Sequence, residues 1–325
     1  MKNVNVKAVV EPFFLNQHLC PNPPASFTEF VRETTDKGVK FVSSVDALDH
    51  FVKPTLCLIA GRTADNPSLF TKCVEKGATC IFLEKPGAPS VKELKQMESL
   101  AYGNSVRVYI GYNKNVTPYV KKALEFSKSV ASGAQVVFQH NNSYKENELP
   151  ECFERNAEGM LKNMAIHELA LLVTFFGVTV DTIKEFKVLK GTTKLTLTGP
   201  SSGKSFTDFK EVAFEVTTTK GKSVTVRADR CGGNVSFASV QDAKGKEMMK
   251  FEFPDVDEQK KVDELTKADP EMMPYFFVQS DDYDELKTRV VNSCLEDKQA
   301  EGVATIKIAI EALKLAEYGT EKLMM

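Results

Sequence analysis

Apolar positions follow two regimes along the chain. Up to about residue 115, short and almost wholly apolar runs alternate with helix-length amphipathic segments. Val4–Val10 forms the first run and ends in Glu11-Pro12. Leu15–Pro24 is rich in proline and asparagine and reads as a loop. Ser26 with Glu29 has the spacing of a capping box for a helix reaching Lys37, closed by Gly38. Val39–Ser43 is a second strand and Asp46–Phe51 a short helix. Thr55–Ala60 is a third strand, stopping at Gly61-Arg62-Thr63, followed by a helix Pro67–Lys76. Cys80–Leu83 is a fourth strand, ending Glu84-Lys85-Pro86. Pro86 has no N–H and cannot continue a ladder, so the chain turns there. A helix Ser90–Tyr102 leads to a fifth strand, Ser105–Gly111, and then Tyr112-Asn113-Lys114-Asn115. Apolar strands alternating with helices predict a parallel sheet covered on both faces.

Beyond residue 115 the pattern changes. Thr117–Val130 reads as a helix and Gln135–His140 as a strand, with His140 either on the surface or hydrogen-bonded. Met160–Phe176 reads as one helix with an apolar stripe of Leu161, Ala165, Leu169, Leu172 and Phe176. Asn163 and His167, four residues apart, would share a face about 200° from Ala165. From Asp181 to Pro254 apolar residues recur at period two, which predicts a mostly antiparallel sheet. Its open face suits a substrate-side cover, a homo-oligomer interface or a plain scaffold. Asp255–Asp269 is a charged helix or loop, and Asp281–Leu295 and Glu301–Tyr318 are closing helices. The fold class expected is therefore α/β, a Rossmann-type parallel sheet followed by an α+β domain with an open, mostly antiparallel sheet. The expected boundaries are residues 1–115 and 116–325, with the closing helices packed back on the first domain.

Composition narrows the function. The 325 residues carry a net charge of −2, with no basic stripe of the kind nucleic acid requires. No apolar run is long enough to span a bilayer, and Met1–Val6 lacks a signal-peptide core, which places the chain in the cytosol. Seven cysteines without a Cys-x-x-Cys pair indicate reduced thiols and no zinc site. Gly199–Ser205 has the look of a phosphate loop, but the spacing is one short and no helix follows, so it reads as a turn.

A strand ending Glu84-Lys85-Pro86, then a helix, then a strand ending Gly111-Tyr112-Asn113-Lys114 resembles the glucose–fructose oxidoreductase / inositol dehydrogenase (Gfo/Idh/MocA) family. The resemblance runs from about Val4 to the C-terminal helix. It implies an NAD(P)-dependent transfer of hydride between nicotinamide and a carbinol carbon of a polyol, sugar or related alcohol. It implies Lys85 and His167 as catalytic residues, with the family's aspartate replaced by Asn163, which would orient His167 without adding charge. Glu11 would hold the adenosine ribose, and Gly61, Arg62, Glu84 and Pro86 would line the cofactor. Lys114, Asn115 and Arg155 would meet substrate hydroxyls. NAD is favoured over NADP because a 2′-phosphate would meet Glu11, although Arg62 could receive it.

One departure is large. The family opens with a strand and a Gly-x-Gly-x-x-Gly turn, and Val4–Glu11 matches its second strand, so the first is expected to be missing. That strand lies mid-sheet in the order 3-2-1-4-5-6, so its loss would split the sheet. An incomplete chain is the expected explanation, with weak NAD(H) binding and aggregation as consequences. The alternative function is a non-catalytic binding or interaction protein that keeps the scaffold.

Overall fold

A computed structural model of the protein describes residues 4–130 and 133–325. The chain begins with β1 (Ala8–Val10), α1 (Ala25–Thr35) and β2 (Lys40–Val42). The Ser26 capping box is not formed. Pro24 stands at the cap without a side-chain bond, and Glu29 pairs with Arg32. The helix expected at Asp46–Phe51 is a single 3₁₀ turn, Val45–Ala47, capped by the Ser44 hydroxyl. Then follow β3 (Leu56–Ile59), α2 (Asn66–Glu75), β4 (Cys80–Leu83), α3 (Val91–Gly103) and β5 (Arg107–Ile110). Every residue of β4 is buried, as its unbroken apolar run requires.

These five strands are all parallel, but they form two sheets: β1 pairs with β2, and β3-β4-β5 pair separately. Among the described residues nothing pairs between β1 and β3. The division falls where the first strand of the family order would lie, and β3 leaves Leu58 56% exposed beside it.

The second half contains α4 (Pro118–Ser129), β6 (Gln135–Asn141), α5 (Leu149–Arg155), α6 (Met160–Asn163) and α7 (Ile166–Leu171). A π-helical turn, Leu172–Phe176, ends that stretch at left-handed Gly177. The strands β7 (Ile183–Val188), β8 (Thr193–Thr198), β9 (Ser205–Thr218), β10 (Ser223–Asp229), β11 (Ser236–Gln241) and β12 (Glu247–Phe253) follow. With β6 they make a seven-stranded sheet in the order β12-β11-β6-β10-β9-β7, with β8 also on β9. Only the β10–β6 pairing is parallel. The Gly199–Ser205 turn is filled from within, since the Glu154 carboxylate accepts the N–H groups of Ser201 (2.9 Å) and Ser202 (2.7 Å).

Three helices close the chain: α8 (Val256–Ala268), α9 (Pro274–Glu296) and α10 (Ile306–Met324). The charged run is thus a helix, capped by Asp255 and Glu258. The last helix packs between α3 and the α6–α7 stretch, and at Gly319 an added Cβ would come within 2.9 Å of Leu161. No helix among the described residues is long and apolar enough to cross a membrane.

Candidate active site

The single helix expected over Met160–Phe176 is broken. Gly159 enters it at φ +91°, and the Asp208 carboxylate accepts the Met160 N–H at 3.0 Å. Asp208 is itself held by Arg230, whose Nη2 lies 2.7 Å away and which is wholly buried. After Asn163 the helix stops, Met164 and Ala165 form a turn, and α7 restarts at Ile166. This corrects the expected Asn163–His167 pair. The Asn163 amide donates to Glu158 Oε1 at 3.0 Å, not to His167. What Asn163 does contribute is its backbone carbonyl, which accepts from Lys85 Nζ at 2.8 Å.

Lys85 therefore bridges the carboxyl end of β4 to the helix break. The peptide linking it to Pro86 is cis. Burial pushes its ammonium below the usual range, with Glu158, Glu84 and Glu168 acting in the opposite direction. His167 opens α7, which is buried on every side. Its ring meets those of Tyr112 (centroids 5.9 Å apart) and His140 (6.4 Å) edge to face. Its Nδ1 is buried without a hydrogen-bond partner. Burial, then the charges of Lys85 and Lys114, hold its pKa well below the ordinary value, so the ring is neutral at pH 7.

Lys114, in the 3₁₀ turn Asn113–Asn115 after β5, lies 2.6 Å from Glu168 Oε1 and 3.1 Å from the Ser236 hydroxyl. The other carboxylate oxygen, Oε2, is 3.1 Å from His140 Nδ1. Burial would raise the Glu168 pKa, but Lys114 and His140 outweigh it and keep the acid below the usual carboxylate range. Asn115 donates to the Thr174 hydroxyl at 2.9 Å.

The structure thus brings Lys85, Lys114, Asn163 and His167 together, and Asn115 next to them. Glu84 adjoins Lys85; Tyr283 donates to its carboxylate at 3.4 Å, and burial raises its pKa. Gly61 and Pro86 lie on neighbouring loops joined by Asn66, which donates to the Gly87 carbonyl at 3.0 Å. Arg62 is turned outward onto Asp65 (2.8 Å) and is largely exposed. Glu11 accepts the N–H groups of Phe13 and Phe14 at 2.8 and 3.3 Å. Arg155 bonds the exposed Tyr144–Glu151 region, with no contact to the cluster.

Sequence reasoning missed Glu168, Glu158 and Tyr112, and left His140 open. The signal for Glu168 was present: an acid inside the apolar run Ile166–Leu172 has to be paired. No three His, Cys, Asp or Glu side chains among the described residues are grouped to hold a metal.

At Gly111 an added Cβ would sit 3.0 Å from Glu84 and 3.1 Å from Phe82, and the buried Asn66 Oδ1 near Gly61 lacks a donor. No glycine-rich pyrophosphate turn occurs among the described residues.

No family model and no curated protein matches the sequence. Solved structures do. A putative myo-inositol dehydrogenase from Sinorhizobium meliloti superposes with a TM-score of 0.70 at 13% identity, covering 98% of this chain and 90% of that one. Myo-inositol 2-dehydrogenase from Lactobacillus plantarum gives 0.67 at 14% identity, covering 99% and 90%. Scyllo-inositol dehydrogenase from Lactobacillus casei, with bound NAD(H) and scyllo-inositol, gives 0.64 at 11% identity, covering 96% and 87%. The chain has the fold of these dehydrogenases: a Rossmann-type parallel half followed by a mostly antiparallel sheet with helices.

Proposed function

We propose that this chain is a nicotinamide-dependent oxidoreductase acting on a secondary hydroxyl of a polyol, sugar or related alcohol. The observation that carries the reading is the placement of Lys85. A half-buried lysine at the carboxyl edge of a parallel strand is joined to the helix break that presents a buried, neutral histidine. Hydride acceptance from the carbinol carbon is the chemistry the cofactor supplies when bound. The remaining tasks fall to side chains of this chain. His167, neutral at pH 7, takes the hydroxyl proton. Lys85 donates a hydrogen bond to the same oxygen as negative charge develops there. Asn163 fixes Lys85 through its carbonyl. Glu84 and Gly61 border the nicotinamide side, and Glu11 the adenosine ribose.

NAD is the better cofactor. Arg62, the one candidate for a 2′-phosphate, is already neutralised by Asp65. Lys114 is committed to Glu168, so of the substrate-side candidates Asn115, whose Oδ1 is buried without a partner, is the better placed. The test is NADH formation from NAD and a panel of inositols and sugars at millimolar cofactor. Turnover of at least one cyclic polyol is expected. No turnover, together with no rise in melting temperature on adding NADH, would refute the reading and favour a non-catalytic scaffold.

A further inference from the structure

We infer that Glu168, acting through His140, supplies the carboxylate support for His167 that position 163 lacks. The inference rests on the role proposed for His167. It begins with a charge problem. When His167 takes a proton, a third positive charge appears beside Lys85 and Lys114 in a site where His167 itself is only 9% exposed. Asn163 is turned away to Glu158 and carries no charge to offset it. The charged groups around the ring are Lys85 at the end of β4, Lys114 after β5, and Glu168 on α7; His140 on β6 and Tyr112 complete the surroundings. Glu158 faces Lys85, and Asp282 of α9 faces Lys114. Of the acids, Glu168 is the one whose charge favours the His167 imidazolium most, without touching the ring, and it is almost completely buried, at 1% exposure.

Its two oxygens have separate tasks. Oε1 takes the Lys114 ammonium at 2.6 Å, and Oε2 takes His140 Nδ1 at 3.1 Å. An ionised carboxylate only accepts hydrogen bonds, so His140 must carry its proton on Nδ1. That fixes the His140 tautomer and leaves its Nε2 lone pair unclaimed by Glu168. The fixed His140 ring in turn packs edge to face on His167, whose own Nδ1 has no hydrogen bond to orient it. Glu168 and His140 are thus positioning residues: the acid holds the second imidazole and stabilises the His167 imidazolium at a distance.

The test uses two variants and two readouts. Glu168→Gln removes the charge. His140→Gln keeps the Lys114–Glu168 pair, and so the fold, even if Glu168→Gln does not fold. With only four histidines in the chain, the imidazole resonances can be assigned and titrated by NMR. Loss of the carboxylate lowers the His167 pKa further, so the acid limb of the kcat profile should move to lower pH. Both variants should lose about tenfold or more in kcat, with KM changed by less than about threefold. A purely structural role would reduce the folded fraction without moving the limb. Unchanged kcat and an unchanged His167 titration in folded variants overturn the inference. If the wild-type chain turns over no polyol, the functional reading fails, while the NMR titration still decides whether Glu168 sets the protonation of His167.

Discussion

The ammonium of Lys85 and the backbone carbonyl of Asn163 are 2.8 Å apart across 78 residues of sequence, and this bond joins the parallel sheet to the helix break that carries His167. Lys85→Met should remove the oxygen-binding donor and leave that carbonyl unsatisfied. A loss of about 1–3 kcal/mol in stability is expected by urea unfolding, with turnover falling at least a hundredfold. Retained turnover in a folded variant would refute the role of Lys85.

Lys114 and Glu168 form an ion pair with side-chain exposures of only 7% and 1%. Lys114→Met would strand a buried carboxylate, at a cost of roughly 3–5 kcal/mol. The folded-state pKa of Glu168 lies below its unfolded value, so its contribution is present above the ordinary 4.5 and is lost as pH falls. The destabilisation in Lys114→Met should therefore be large at neutral pH and shrink on acidification below about pH 4.5. A pH-independent difference between wild type and variant would contradict the pairing.

Asp282 of α9 is 5% exposed, its Oδ2 has no partner, and burial with Glu258 and Asp281 nearby raises its pKa to about 7 from an ordinary 3.8. A raised folded-state pKa favours the protonated acid, so stability is lost as pH rises from the unfolded value through about 7. Asp282→Asn should stabilise the chain above pH 7 by up to on the order of 4 kcal/mol and change little below about pH 4. Thermal melts at the two pH values check this; equal effects at both would refute it.

Asp208 caps α6 and pairs with the buried Arg230, which also donates to the Phe209 carbonyl at 3.1 Å. Asp208→Ala would leave Arg230 unpaired and free the Met160 N–H. A loss of roughly 3–5 kcal/mol is expected, with reduced kcat in whatever folds, because α6 leads directly into the Asn163–His167 segment. Wild-type stability would show that the network does not position the site.

The parallel half was legible because β4 and its neighbours are apolar on both faces, a pattern that admits few alternatives. The division between β1 and β3 was also legible, by counting strands against the family order. The break after Asn163 was not. Leu161, Ala165 and Leu169 keep helical spacing straight through it, so periodicity carries no trace of the interruption. The same false continuity put Asn163 beside His167 and drew attention away from Glu168. The short α5 was overlooked because seven residues are too few to show a period. Lys85 and His167 were singled out from motif position, whereas the His140–Glu168 contact becomes visible only when the end of β6 is folded against α7.

The most direct test of the central claim is NADH formation by the wild-type chain and by Lys85→Met, side by side, with millimolar NAD and cyclic polyols, and NADH binding to both followed by fluorescence titration. The account predicts that the wild type alone forms NADH while both proteins bind it with affinities within about threefold, because Lys85 acts on the substrate oxygen rather than on the cofactor. Equal turnover by both proteins, or saturable binding by neither, would contradict it.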